Sequence, residues 1–181
     1  INNINNVNNT NNINNTNNVN NTNNVVTTPA NRNKTPEDAM QKIFPGYTHT
    51  LEQIGGNDIY VARDSNDQIM GVGIVADHYG FNSSIQTMTC IDSTGNTLGL
   101  ETITQYESWW DMIGESFFLQ FDGILFDDVT LLPEYDEGCT PQCTALYSAV
   151  GDVDAVSGAT WSSDAVIKNV MDTYLIYDTL P

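Results

Sequence analysis

Ser157-Gly158-Ala159-Thr160 stands between an acidic turn headed by Asp154 and a run of apolar residues spaced three and four apart. That run holds Ala165, Val166, Ile167, Val170, Met171, Tyr174 and Leu175, the one-sided pattern of an amphipathic helix. A helix beginning just after Thr160 would aim its first unpaired N–H groups, and the positive end of its dipole, back at the Ser157–Thr160 turn. Such a turn suits a phosphate or another anion. Gly158 lets a backbone come close and Ala159 adds little bulk. The hydroxyls then have two uses. Thr160, Ser162 and Ser163 could cap the helix, or one of them could be a point of covalent attachment.

Nothing else in the chain offers a catalytic set. His49 and His78 lack a neighbouring nucleophile pattern and read as surface residues. The carboxylates of "LFDDV" and "LPEYDEG" read as solvated faces, with calcium as the other use of such oxygens. No metal site is expected, because the cysteines and histidines lie too far apart in sequence to supply about four zinc ligands. Cys139 and Cys143, in "GCTPQC", could close a small disulfide loop in an oxidising compartment. Cys90 sits in the alternating stretch "IQTMTCI" and is expected to be buried as a small apolar residue.

The elements that must position the motif begin at "TPEDAMQKIF". There Thr35 is a plausible N-cap, Pro36 occupies the first helical position and Asp38 follows three after the cap. Pro45-Gly46 ends that helix. Strand-like segments follow at 58–64, 69–77, 84–92 and 97–107, separated by the turn signals "SND", "YGFN" and "STGN". Four strands in succession predict an antiparallel meander. A second helix is predicted over 108–124, with Phe117, Phe118 and Phe121 near helical spacing, and a short strand over 127–132. Strands followed by helices make the fold class α+β, an antiparallel sheet with flanking helices.

Three regions are distinguished: a triplet repeat over 1–26, a linker over 27–34 and a globular domain over 35–181. The repeat reads INN INN VNN TNN INN TNN VNN TNN, closed by Val25-Val26. A period of three fits neither an α-helix nor a strand. It lines up one residue in three along the edge of a polyproline-II-like helix, whereas strands would let the asparagine amides stack in ladders. A disordered polar linker is the plainer reading. So little apolar surface does not offset a backbone ordering cost of about 1–2 kcal/mol per residue, so an ordered tract implies self-association or another protein. Self-assembly is the expectation.

Lys and Arg total 5 against 23 Asp and Glu, a net charge of −18. That balance excludes nucleic acid, which demands a basic face, and disfavours anionic membrane surfaces. Cationic partners fit it. No apolar run reaches the roughly 20 residues that span a bilayer, so any membrane link would run through an N-terminal segment removed or lying outside the sequence. The start at Ile1 suggests a processed form of a longer precursor. Asn8, Asn14, Asn20, Asn33 and Asn82 head glycosylation sequons, which matter only where the source glycosylates surface proteins.

"DAVSGATWSSDAVIKNV" closely resembles the flavinylation motif of the FMN-binding domain family, which includes the flavin-carrying subunits of sodium-pumping NADH:quinone oxidoreductases and of Rnf-type complexes. The family pattern falls on Asp154, Ser157, Gly158, Ala159 and Thr160, and Ser163 follows where the family also favours a hydroxyl. The resemblance extends over about 36–178. "YGFNSSIQTMTCID" and "GNTLGLETI" are similar to the family's turn–strand–turn–strand region. "QYES" and "FFLQFDGI" resemble its Glu-Thr followed by a Phe-rich helix, which assigns Glu107, Ser108, Phe118, Phe121 and Gly123. After Glu107-Ser108 the usual Pro-Gly-Leu-Gly is missing, and Trp109-Trp110-Asp111 stand there instead. If that loop covers the isoalloxazine ring, the indoles either stack on it or serve as core or interface anchors.

The resemblance implies an FMN joined through its phosphate to Thr160 by a phosphoester, installed by a flavin transferase. It implies an extracytoplasmic, secreted or surface-bound electron carrier that passes electrons between redox partner proteins rather than a stand-alone enzyme. The ester leaves the ring's redox chemistry to the cofactor, and the tether prevents loss of FMN where no pool replaces it. The alternative is a structural fibre protein whose C-terminal domain holds no cofactor.

Overall fold

A computed structural model describes residues 34–125 and 153–181 of the chain. The triplet repeat, the strand expected at 127–132 and the Cys139/Cys143 pair lie outside them. Five strands form one antiparallel sheet in sequence order: β1 (Thr48–Ile54), β2 (Asn57–Arg63), β3 (Ile69–Tyr79), β4 (Ser84–Asp92) and β5 (Thr97–Thr104). Helix α1 (Pro36–Ile43) covers one face. The short α2 (Glu115–Phe118) and the long α3 (Thr160–Tyr177) pack with the other. This is the α+β arrangement expected, with the meander intact.

Alternation along the strands feeds both faces. Ile59 and Val61, Val72 and Ile74, and Ile85 and Ile91 point toward α3, where Ala165, Val166, Ile167, Val170, Met171 and Tyr174 meet them. Ala62, Met88 and Cys90 point the other way, against Ala39, Met40 and Phe44 of the α1 region. Cys90 is fully buried and the burial pushes its thiol pKa up, as befits a small apolar residue. Leu175 departs from the expected stripe and is exposed.

α1 begins as its sequence predicts. Thr35 Oγ1 accepts from Asp38 N–H (3.1 Å) and Asp38 Oδ2 accepts from Thr35 N–H (3.2 Å), a reciprocal capping box. The helix lies close against the sheet because β3 carries glycine where it crosses. A Cβ at Gly71 would sit 2.6 Å from the Ile91 carbonyl oxygen and 2.5 Å from the Phe44 ring. Gly71→Ala is therefore expected to destabilise by about 1–3 kcal/mol, read as a lowered denaturant midpoint, and an unchanged midpoint would mean that the sheet yields there.

Two elements differ from expectation. β1 was not predicted, since its residues are mostly half-buried or exposed and only Leu51 and Ile54 are large and apolar. The Gly55-Gly56 turn joins it to β2 with φ of 62° and 89°, and Ile54 pairs with Asn57 across it. Positive φ at both central positions is the tight two-residue hairpin turn that glycine serves best. The helix expected over 108–124 is instead three short pieces: 3₁₀ turns at Trp110–Met112 and Leu119–Phe121 with α2 between them. Ile113 and Gly114 leave the helical region (ψ 87° and 173°) and break it. Three-to-four spacing survives the break, so Trp110, Ile113, Phe117 and Phe121 all still reach the core.

His49 and His78 are half-buried rather than free surface residues. The His49 ring nitrogen bonds the Phe44 carbonyl at 3.0 Å, and that of His78 bonds Asp172 of α3 at 2.8 Å.

Candidate functional site

α3 starts at Thr160 with Ala159 as its N-cap, and no side chain caps it. The expected alternative, that the local hydroxyls serve as caps, does not describe this helix. Ser163 is buried and turns its hydroxyl backward: Oγ donates toward the carbonyls of Ala159 and Thr160 and accepts from Val156 N–H, each at 3.1 Å. Ser162 Oγ leaves the helix altogether and donates to Glu107 at 2.6 Å. Thr160 is exposed, and among the described residues its hydroxyl has no hydrogen-bond partner. The first N–H groups of the helix have no acceptor within it.

The turn before the helix is closed by Ala159 N–H donating to the Val156 carbonyl at 3.0 Å. Gly158 takes φ +86°, and a Cβ there would lie 2.6 Å from the Met112 methyl. The backbone angle is what requires glycine, and the flexible end of Met112 fills the space left free. Asp154 is exposed and held by its backbone, with N–H donating to Gln120 Oε1 at 2.8 Å. Neither Asp154 nor the exposed Ser157 lines the cleft beside Thr160.

That cleft has a volume of about 110 Å³ and is lined by Phe81, Trp109, Gly158, Ala159, Thr160, Trp161 and Ser162. Its three aromatic residues come from three separate segments, and each is more than half exposed (56, 55 and 69 %, in chain order). Trp109 and Trp110, left together by the sequence, part company here. Trp109 borders the cleft, while Trp110 is buried and packs against Phe118 with ring centroids 6.0 Å apart. Trp110 is a core anchor.

Glu107 holds the three segments together. It lies just beyond β5 and is only 3 % exposed. Oε1 accepts from Asn82 N–H (2.9 Å), Ser83 N–H (2.8 Å) and Ser83 Oγ (3.0 Å), and Oε2 accepts from Phe81 N–H (2.9 Å) and Ser162 Oγ (2.6 Å). One carboxylate therefore ties the β3–β4 turn to the first turn of α3, two residues ahead of Trp109. Gly80 makes room for it, since a Cβ there would lie 3.0 Å from the carboxylate. Ser108 assists by accepting from the Asn82 side chain. Burial pushes the Glu107 pKa up, but the hydroxyl of Ser162 and the three backbone N–H groups outweigh it and hold the group below its ordinary 4.5.

The residues suit a phosphate-bearing cofactor. The cleft offers a hydroxyl without a partner among the described residues, uncapped helix N–H groups for the anion, and aromatic faces for a planar ring. No cation lines it. Lys168, the one cation of α3, is two turns down the helix and pairs with Asp164 at 3.0 Å. An anion here would rest on backbone dipoles.

Of the site residues read from the sequence, Trp109, Gly158, Ala159 and Thr160 meet at the cleft, and Glu107, Ser108 and Ser163 support it from behind. Phe81, Trp161, Ser162 and Ser83 were missed. Trp161 carried a signal, as an indole directly after the small-residue motif. Ser162 and Ser83 carried none, because their partner is remote in sequence.

No curated protein matches the chain. The family model described as the FMN-binding domain matches residues 80–174, a little over half of the sequence. The match opens on the glycine that abuts Glu107 and runs through the small-residue turn and most of α3, so the chain belongs to the FMN-binding domain family and FMN is its cofactor.

Proposed function

We propose that the protein is an extracytoplasmic electron carrier with one FMN esterified to Thr160 through its phosphate. The observation that supports this most directly is the Thr160 hydroxyl: exposed, without a partner among the described residues, at the uncapped start of α3 and on the rim of an aromatic cleft. FMN, when bound, supplies reversible electron uptake at its ring. The residues of the chain hold and orient it. The first helical N–H groups would serve the phosphate, Gly158 would let the turn approach it, and Phe81, Trp109 and Trp161 would offer faces to the ring. Glu107 fixes those faces relative to the hydroxyl.

A flavin transferase would install the cofactor. We also propose that the triplet repeat over 1–26 joins copies into a filament, so that the flavin domains are arrayed along it.

The test is chemical. Protein from its native source, or made together with a flavin transferase, should stay yellow after acid precipitation. Digestion should yield a peptide containing Thr160 heavier by one FMN less a water. An unmodified Thr160 in flavin-loaded native material would rule out the ester.

A further inference from the structure

We propose that the aromatic window around Thr160 is a docking face for a cationic redox protein, one that presents a ring of basic side chains around an apolar centre. This rests on the carrier reading above. A cleft of about 110 Å³ is well below the roughly 300–1,000 Å³ of pockets that enclose a ligand of flavin size. It leaves most of such a group outside the protein envelope, so electrons must be exchanged with a partner that comes to this surface.

The surface has the composition of a contact patch. The seven residues lining the cleft carry no ionisable side chain, and exposed Trp and Phe are the residue types enriched at the centres of interfaces. Exposed Met112 and Tyr106, in the segment that supplies Trp109, add further large side chains.

Its surroundings select the sign of the partner. Every Lys and Arg of the described residues is already paired with a carboxylate: Lys34 and Lys42 share Glu101, Arg63 meets Glu52 and Asp67, and Lys168 meets Asp164. Asp111, Glu115 and Asp154 are exposed on the segments that border the window. With a net charge of −18 over the chain, a neutral aromatic window inside a negative field steers basic partners toward it and repels acidic ones.

The experiment uses the full chain, flavin-loaded and reduced, mixed in a stopped-flow instrument with one-electron oxidants of opposite charge. The probes are hexaammineruthenium(III), ferricyanide and a basic c-type cytochrome. Each reduced flavin gives up two electrons, one to each of two oxidant molecules, and two protons to solvent. Between about 10 mM and 500 mM salt, the rates with the ruthenium complex and the cytochrome should fall by on the order of tenfold, and that with ferricyanide should rise. Asp111→Asn with Glu115→Gln should lower the low-salt cytochrome rate several-fold. Glu37→Gln with Asp58→Asn, the same charge change on exposed positions of α1 and β2, should lower it much less.

Flat or inverted salt dependence with flavin retained overturns the docking proposal alone, as does an equal loss from the two double variants. A chain made with the transferase that carries no flavin overturns the carrier reading and the docking proposal with it, and the absorbance spectrum tells these failures apart.

Discussion

Replacing Thr160 with alanine should remove covalent flavin completely, from about one per chain to none, and leave the fold as it was. The size of the effect follows from the site. The two other hydroxyls in the first turn of α3 lack that freedom: Ser162 is committed to Glu107, and Ser163 to the carbonyls behind it. Ser157 is exposed but does not line the cleft. The Thr160 side chain makes no hydrogen bond among the described residues, so the change in stability should stay within about 0.5 kcal/mol, as for ordinary surface substitutions. Thr160→Ser keeps the oxygen and should keep attachment. The measurements are flavin absorbance after acid precipitation, peptide mass and a denaturant melt. Covalent flavin persisting in the alanine variant would move the attachment point elsewhere.

The second large effect is on stability. Glu107→Gln replaces one oxygen with an amide that cannot accept, facing donors that have no other acceptor at hand. Each buried donor left unsatisfied costs about 1–3 kcal/mol, and Glu107 serves five, of which the Ser162 hydroxyl is buried and the other four are part-buried. A loss on the order of 3–5 kcal/mol is expected, with the denaturant midpoint falling and the slope unchanged. Phe81 and Trp161 should also lose their fixed relation to Thr160. The pH dependence has a definite sign. The folded pKa of Glu107 lies below its ordinary 4.5, so its contribution is complete above that value and is lost as the pH falls through the folded one. Glu52, Asp64 and Asp92 are lowered as well, so the informative quantity is the difference between wild type and variant. That gap should be widest above about pH 5 and narrow below 4.5. A gap independent of pH would mean that the carboxylate's charge plays no part.

What could be read from the sequence was whatever depends on near neighbours. The capping box at Thr35, the burial of Cys90 and, Leu175 apart, the stripe of α3 are all set within a few residues, and they appear as expected. β1 was missed because an edge strand with little apolar content lacks the alternating signature, although Gly55-Gly56 marked its hairpin. The stretch over 108–124 misled for the opposite reason. Its aromatic spacing is helical, but Gly114 and the packing of Trp110 and Phe117 into one core override helix continuity. The motif at Ser157–Thr160 was visible outright, whereas its support was not. Glu107 draws donors from 26 residues upstream and 55 downstream, a convergence that only the folded chain creates. The division of labour between Trp109 and Trp110 was likewise settled by which indole the Phe-rich turns could enclose.

Thr160 opens an 18-residue helix whose inner side is locked onto β3 and β4. A prosthetic group fastened at that point has no swinging arm. Unlike carriers that ferry charge on a long flexible lysine, this domain would keep its redox centre stationary, so traffic depends on who arrives. In any regular array of such domains, the spacing between centres would be dictated by the architecture of the array, and the gap an electron must cross would be a fixed property of it.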